Sequence, residues 1–168
     1  MEATDRKPVR INLGCGLAVF PGSNWINCDR NGEPDVKCEA YPLPFDTDFA
    51  DEIWAIHLLE HIHRAEAGRA LYEWFRVLKP GGKLCIEVPC LDKIAQMIVD
   101  GEKNMRLTVL GLFGDPRDDK PDMLHKWCWS KAEITDTLVG VNFQDIEVQE
   151  PIFHMPQRDM RIEARKPC

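Results

Sequence analysis

The chain has 168 residues, enough for one domain with a sizeable core, and 44% of them are hydrophobic against 29% charged. Its formal charge of −7 speaks against a sequence-independent grip on nucleic-acid phosphates, which needs clustered Lys and Arg. No apolar run reaches the roughly 18–20 residues of a membrane span, and "MEATDRKPVR" lacks the apolar stretch of a secretory signal. Seven cysteines without a C-x-x-C pair suggest neither a disulfide framework nor a cysteine zinc site, so reduced thiols in the cytoplasm are expected.

In chain order, "VRINL" (9–13) is a strand that stops at Gly14-Cys15-Gly16. "WINC" ends at Asp29, "DVKCEA" follows, and "YPLPFDTD" holds too many prolines for regular structure. "EIWAI" (52–56) is a continuous apolar run of the kind buried in a parallel sheet. From Ala65 the period changes: Leu71, Trp74, Phe75 and Leu78 form one helical stripe, which "KPGG" (79–82) terminates. "KLCIEV" (83–88) alternates as a strand, and "LDKIAQMIVDG" is helical with Gly101 near its end.

Residues 101–126 show no clear period and are expected to form a mobile insert over the site, "GDPRDDKPD" above all. Ser130 and Glu133 make a capping box for a helix running to about Val139, with Gly140 as its stop. "FQDIEVQE" and "DMRIEARK" close the chain as strands, and residues 1–168 form a single domain. Alternating strands and helices imply an α/β sheet, in which ligands bind beyond the carboxyl ends of the strands.

The glycines of "NLGCGLA" let the backbone approach a ligand, and Asp29 ends the very next strand, where a carboxylate can accept both ribose hydroxyls of a nucleoside. Dinucleotide binding fits poorly. The Gly-to-Asp spacing is short, a third glycine is missing, and little room remains for the helix whose N-terminus a pyrophosphate needs.

Together "RINLGCG", "GSNWINCD", "YPLPFDTDFADEIWAIHLLEHI" and "EWFRVLKPGGKLCIEVP" resemble, in order, the motifs of class I S-adenosylmethionine-dependent methyltransferases. The likeness is strongest to a small bacterial and phage branch with a shortened first helix. It implies a Rossmann-like sandwich, a mostly parallel seven-stranded sheet of order 3-2-1-4-5-7-6 with helices on both faces. The resemblance also assigns roles. Gly14, Cys15 and Gly16 would pass under the methionine and ribose of S-adenosyl-L-methionine, and Asp29 would hold the ribose. Glu39 would meet the adenine amino group, Leu43 and Phe45 would border the adenine, and His57 would lie near the methionine.

"HLLEH" (57–61) also spells an inverted zinc-peptidase motif, since His57 and His61 would share a face if helical. Such a site needs a third protein ligand, and the sequence marks none, so no metal is expected and a zinc peptidase is the remote alternative. Cys90 follows the fifth strand but lacks an activating neighbour and reads as inert. "HKWCWS" places His125, Trp127 and Trp129 on one side of an extended chain, an aromatic wall with His125 as a second catalytic candidate beside His57. The expected activity is methyl transfer to a small molecule or saccharide, with no nucleic-acid or membrane partner. The alternative is a non-catalytic protein that keeps the fold for binding.

Overall fold

The computed structural model describes residues 7–115 and 123–168. Strands β1 (Arg10–Leu13), β2 (Trp25–Asp29), β3 (Val36–Lys37), β4 (Ala50–Ile56) and β5 (Leu78–Pro89) pair in parallel. Strands β6 (Gln144–Gln149) and β7 (Asp159–Arg165) are antiparallel to each other, and β7 is antiparallel to β5. The order is β3-β2-β1-β4-β5-β7-β6, the Rossmann-like methyltransferase topology. From β1 the sheet grows first to one side and then to the other, so a crevice opens where β1 and β4 end side by side.

The period of two assigns the two faces. Ile11, Leu13, Cys28, Ile53, Ala55, Leu84, Ile86 and Val88 point into the main core. Helices α1 (Arg64–Val77) and α4 (Lys131–Gly140) cover them with Ala67, Ala70, Leu71, Trp74, Ile134 and Leu138. Trp74 also donates its indole N–H to the carbonyl of Ala40 at 2.9 Å, which fastens α1 to the segment after β3.

The intervening positions, Asn12, Asn27, Trp54 and Glu87, take the opposite face. There the β1–β2 connection, residues 14–24, contains no helix. It is held instead by two buried amides. Asn12 Nδ2 donates to Ala18 O and to Asn27 Oδ1, both at 2.9 Å. Asn27 then pairs with the backbone of Phe20, accepting its N–H at 2.7 Å and donating to its carbonyl at 3.1 Å, and donates to Asp35 at 2.9 Å. The Phe20 ring packs against Trp25, Trp54 and Phe153, with centroids 4.7, 6.1 and 5.3 Å away.

Several boundaries differ from the sequence expectation. The stripe residue Leu78 lies in β5, not α1, and "KPGG" is part of that strand, where the pairing with β4 slips register between Ala50 and Glu52. Gly82 has no room for a side chain, since a Cβ would stand 2.8 Å from the carbonyl of Lys79. Gly140 is the last helical residue of α4, and Asn142, at φ +75°, takes the left-handed position beyond it. Gly101, at φ +81°, does follow α2 (Leu91–Val99). The described part of 101–126 contains α3 (Val109–Phe113) and a bridge between Gly114 and Leu124. Most of "GDPRDDKPD" lies outside the described residues. No described helix is long and apolar enough to cross a membrane. The sheet ends in the two-residue β3 on one side, and on the other in β6, which is broken by Asp145 at φ +51° and a register shift between Gln144 and Glu147.

Asn27→Ala removes a buried amide that makes four hydrogen bonds, and each buried partner left unpaired costs about 1–3 kcal/mol. Urea unfolding should show a loss of at least about 2 kcal/mol, with faster hydrogen exchange at the Phe20 amide. An unchanged urea midpoint would mean that the Phe20 ring alone holds the loop.

Candidate active site

At the carboxyl ends of β1, β2 and β4 lies a cavity of about 350 Å³, and Gly14, Gly16, Asp29, Glu39, Tyr41 and His57 are among its lining residues. Gly14 has φ +69°, a left-handed backbone that favours glycine, and a Cβ there would press on the flexible Leu58 side chain at 2.8 Å. The N–H groups of Gly14 and Cys15 converge on the Cys28 carbonyl at 2.8 and 3.0 Å, which folds the turn toward the end of β2. Asp29 then accepts the Gly16 N–H at 2.9 Å on one carboxylate oxygen and the Asn31 N–H at 2.7 Å on the other. A carboxylate has about four lone-pair sites, so both oxygens keep capacity for a pair of hydroxyls.

The other sequence candidates separate. Glu39 is exposed at the cavity rim, 3.6 Å from the Arg30 guanidinium. Cys15 is buried between the two lining glycines, and burial pushes its thiol pKa up, as it does that of the buried Cys90. Leu43 belongs to the core, with its N–H on the Glu73 carboxylate at 2.8 Å, and Phe45 stacks on Phe49. Neither lines the cavity; Ala40 and Tyr41, a few positions earlier, take that place. Nothing periodic in "YPLPFD" distinguishes the residue that faces the core from those that face the cavity.

His57 directly follows β4 and lies in the left-handed region at φ +51°, a conformation costing an L residue on the order of 1–2 kcal/mol. Its N–H donates to the Glu87 carbonyl at 2.8 Å. Its ring lies between two buried carboxylates, with Nδ1 2.6 Å from Glu60 and Nε2 3.5 Å from Asp159. Burial works against a charged ring, but the two acids outweigh it and hold His57 up at about 9. Glu60 is correspondingly held below the usual carboxylate range: burial pushes it up, and His57 more than offsets this. Glu87 accepts the Phe153 N–H at 3.2 Å, and His154 beyond it lies over His57 with ring centroids 4.0 Å apart.

The left-handed turn at His57 also ends any helical reading of "HLLEH". Only Leu59–His61 forms a single 3₁₀ turn, so His57 and His61 are not neighbours on an α-helical face. His61 lines the cavity, and His125 meets it edge-on at 5.0 Å without lining the cavity itself. Burial depresses the His125 pKa. Trp127 and Trp129 form no wall. Trp129 is buried in the core beneath Arg64, while Trp127 is exposed and donates to Glu133 at 3.0 Å. Tyr41, Leu58, Ile62 and Lys126 line the cavity without a signal in the sequence. Glu87 had one: it is a charge on the alternating strand "KLCIEV".

Residues 23–86 match a methyltransferase domain family. The chain is 32% identical over 102 residues to Methyltransferase GfsG of Streptomyces halstedii, covering 58% of this chain and 35% of that protein. It is 32% identical over 95 residues to the Probable ATP-dependent RNA helicase DDX49 of Mus musculus, covering 55% of this chain and 19% of that protein. The chain thus spans between a fifth and about a third of these curated relatives. Among solved structures it superposes on the 1,6-didemethyltoxoflavin-N1-methyltransferase of Burkholderia thailandensis, solved with S-adenosylhomocysteine, at a TM-score of 0.64 and 16% identity. That superposition covers 97% of this chain and 72% of the other.

Asp159 supplies a pH test. Burial raises its pKa, but His57 and Arg158 outweigh that and hold it down at about 2. A depressed carboxylate stabilises the fold above its unfolded pKa of about 3.9, and that contribution vanishes as pH falls toward 2. The loss is about 2–3 kcal/mol. Thermal midpoints measured from pH 5 to pH 2 should therefore fall less steeply for Asp159→Asn than for the unmodified protein. Parallel curves would show that Asp159 is not held ionised.

Proposed function

We propose that this chain, which belongs to the class I S-adenosylmethionine-dependent methyltransferase family, moves the sulfonium methyl of S-adenosylmethionine to a small-molecule or saccharide acceptor in the cytoplasm. One observation carries the reading: the glycine turn after β1 and Asp29 at the end of β2 face the same cavity at the sheet's reversal point. At about 350 Å³ that cavity is in the size range of small-molecule sites.

The residues present suit a nucleoside. Asp29 would take the ribose hydroxyls, Glu39 and Tyr41 would flank the base, and Gly14 and Gly16 would pass under the methionine portion with His57 beyond them. The helix-free β1–β2 connection offers no helix N-terminus for a pyrophosphate, which favours this ligand over a dinucleotide.

The cofactor brings its own leaving group, a neutral thioether, so the protein's task is to align donor and acceptor and exclude water. Alignment of this kind is worth up to about 7–11 kcal/mol. His57, locked between Glu60 and Asp159, is a rigid part of the wall on the methyl side. His125 packs edge-on against the cavity-lining His61, which makes it a positioning residue. A fold kept only for partner contacts would not require Asp29 and the glycine turn to share one pocket.

S-adenosylmethionine or S-adenosylhomocysteine should raise the thermal midpoint, by about 2.7 kcal/mol of stability at 100 times the dissociation constant. NAD should do little, and equal shifts with NAD would contradict the assignment. In calorimetry Asp29→Asn should weaken cofactor binding by roughly 10- to 150-fold with the fold intact, the worth of hydrogen bonds to a charged acceptor. An unchanged affinity would place the ribose elsewhere. Transfer of isotope-labelled methyl into a small-molecule fraction separates an enzyme from a binding protein.

A further inference from the structure

We propose that Glu60, His61 and His125 form a binding site for a divalent first-row transition ion of the Zn²⁺ or Mn²⁺ class, set in the wall of the cavity. One ligand atom from each of the three side chains lies within 4.8 Å of the other two. His125 supplies the third ligand that the sequence did not mark, and Glu60 replaces His57 in the set.

The two imidazoles are already oriented as ligands. His61 Nδ1 is 3.2 Å from the Leu124 carbonyl, and His125 Nδ1 is 3.0 Å from the Gly111 carbonyl. A carbonyl only accepts, so each Nδ1 carries the proton and each Nε2 presents its lone pair. Metal-bound histidines are oriented in this way, by an outer hydrogen bond from the second nitrogen.

Glu60 provides the independent observation. Its side chain is fully buried; Oε1 is ion-paired with the His57 ring at 2.6 Å, while Oε2 has no hydrogen-bond partner among the described residues. Buried carboxylates are retained when they are paired, hydrogen-bonded or coordinated to a metal. Two imidazoles beside a buried carboxylate whose Oε2 has no donor among the described residues make a cation's environment.

The ligands also arrive preassembled. The N–H groups of Lys126 and Trp127 both donate to the Glu60 carbonyl, at 2.8 and 3.2 Å, so the segment bearing His125 is fastened to the turn bearing Glu60 and His61. Metal–ligand bonds of 2.0–2.1 Å put tetrahedral ligand atoms roughly 3.3 Å apart, so binding asks only for a modest closing of the side chains. Two nitrogens and one oxygen suit zinc or manganese better than calcium or magnesium, which prefer all-oxygen sites. Because His61 lines the cavity, positions left over by the protein would open toward it.

The test is binding of the metal alone to the full chain, with no cofactor present, so its outcome does not depend on the methyl-transfer reading. After chelator treatment, ZnCl₂ or MnCl₂ should raise the thermal midpoint, and elemental analysis after desalting should find one ion per chain. Co²⁺ should give a visible spectrum of low-symmetry nitrogen and oxygen ligation. Glu60→Gln and His125→Ala should each weaken binding at least 100-fold, while His63→Ala retains it. If Glu60→Gln fails to fold, His125→Ala, which touches the site from a separate segment, decides. No uptake of any of these ions, or uptake that survives His125→Ala, would overturn the site and leave Glu60 balanced by His57 alone.

Discussion

The contact between Asn12 and Asn27 sets what the rest of the site can be. The two amides sit on neighbouring strands, and together they organise a connection that contains no helix. A side chain that both accepts from and donates to the Phe20 backbone acts much as a strand partner would. Each such bond nets only about 0.5–1.5 kcal/mol, but leaving a buried amide unpaired costs more, so the network forms as a whole or not at all. The Gly14–Gly16 turn hangs from this anchored loop, and Asp29 follows Asn27 by two residues on the same strand. The cavity's donor side therefore inherits its geometry from two asparagines that never touch it.

On the other side of the cavity the organising principle is buried charge. Glu60, Glu87 and Asp159 are all inaccessible, an arrangement that stays stable only where partners are at hand. Asp159 has Arg158 and His57, while Glu87 has backbone N–H groups of the 152–153 segment and nearby His154. Glu60 has the least, which is why it stands out. The effect is to set the His57 ring between two carboxylates, at a residue whose own backbone is strained. Strain and unpaired buried polarity in one place are what a functional site costs a fold.

Much of this was legible in the sequence because the signals were local. Alternation in "KLCIEV", the Ser130–Glu133 capping box, and glycines after one strand with an acid after the next each follow from neighbours in the chain; Ser130 Oγ does accept the Glu133 N–H at 3.1 Å. Where the signal required a period that was absent, the reading slipped. Leu43 lies in an irregular proline-rich stretch, so its inward orientation had no pattern to reveal it. In "HLLEH" the helical face that would join His57 to His61 does not exist, because His57 takes a left-handed backbone that the letters do not announce. His125 joins His61 from 64 positions away, a contact of tertiary origin that no spacing rule reports.

The rims of the sheet have a consequence of their own. An open sheet ends in two rows of unpaired backbone groups, which can template strand addition by another molecule. Here β3 offers two residues, too short a ledge for a foreign strand to register against. At the opposite rim β6 is kinked at Asp145 and carries Glu147, so an approaching strand meets a break in the ladder and a negative charge. Each rim thus carries a feature that disfavours edge-to-edge pairing, brevity at β3 and a kinked, acidic ladder at β6.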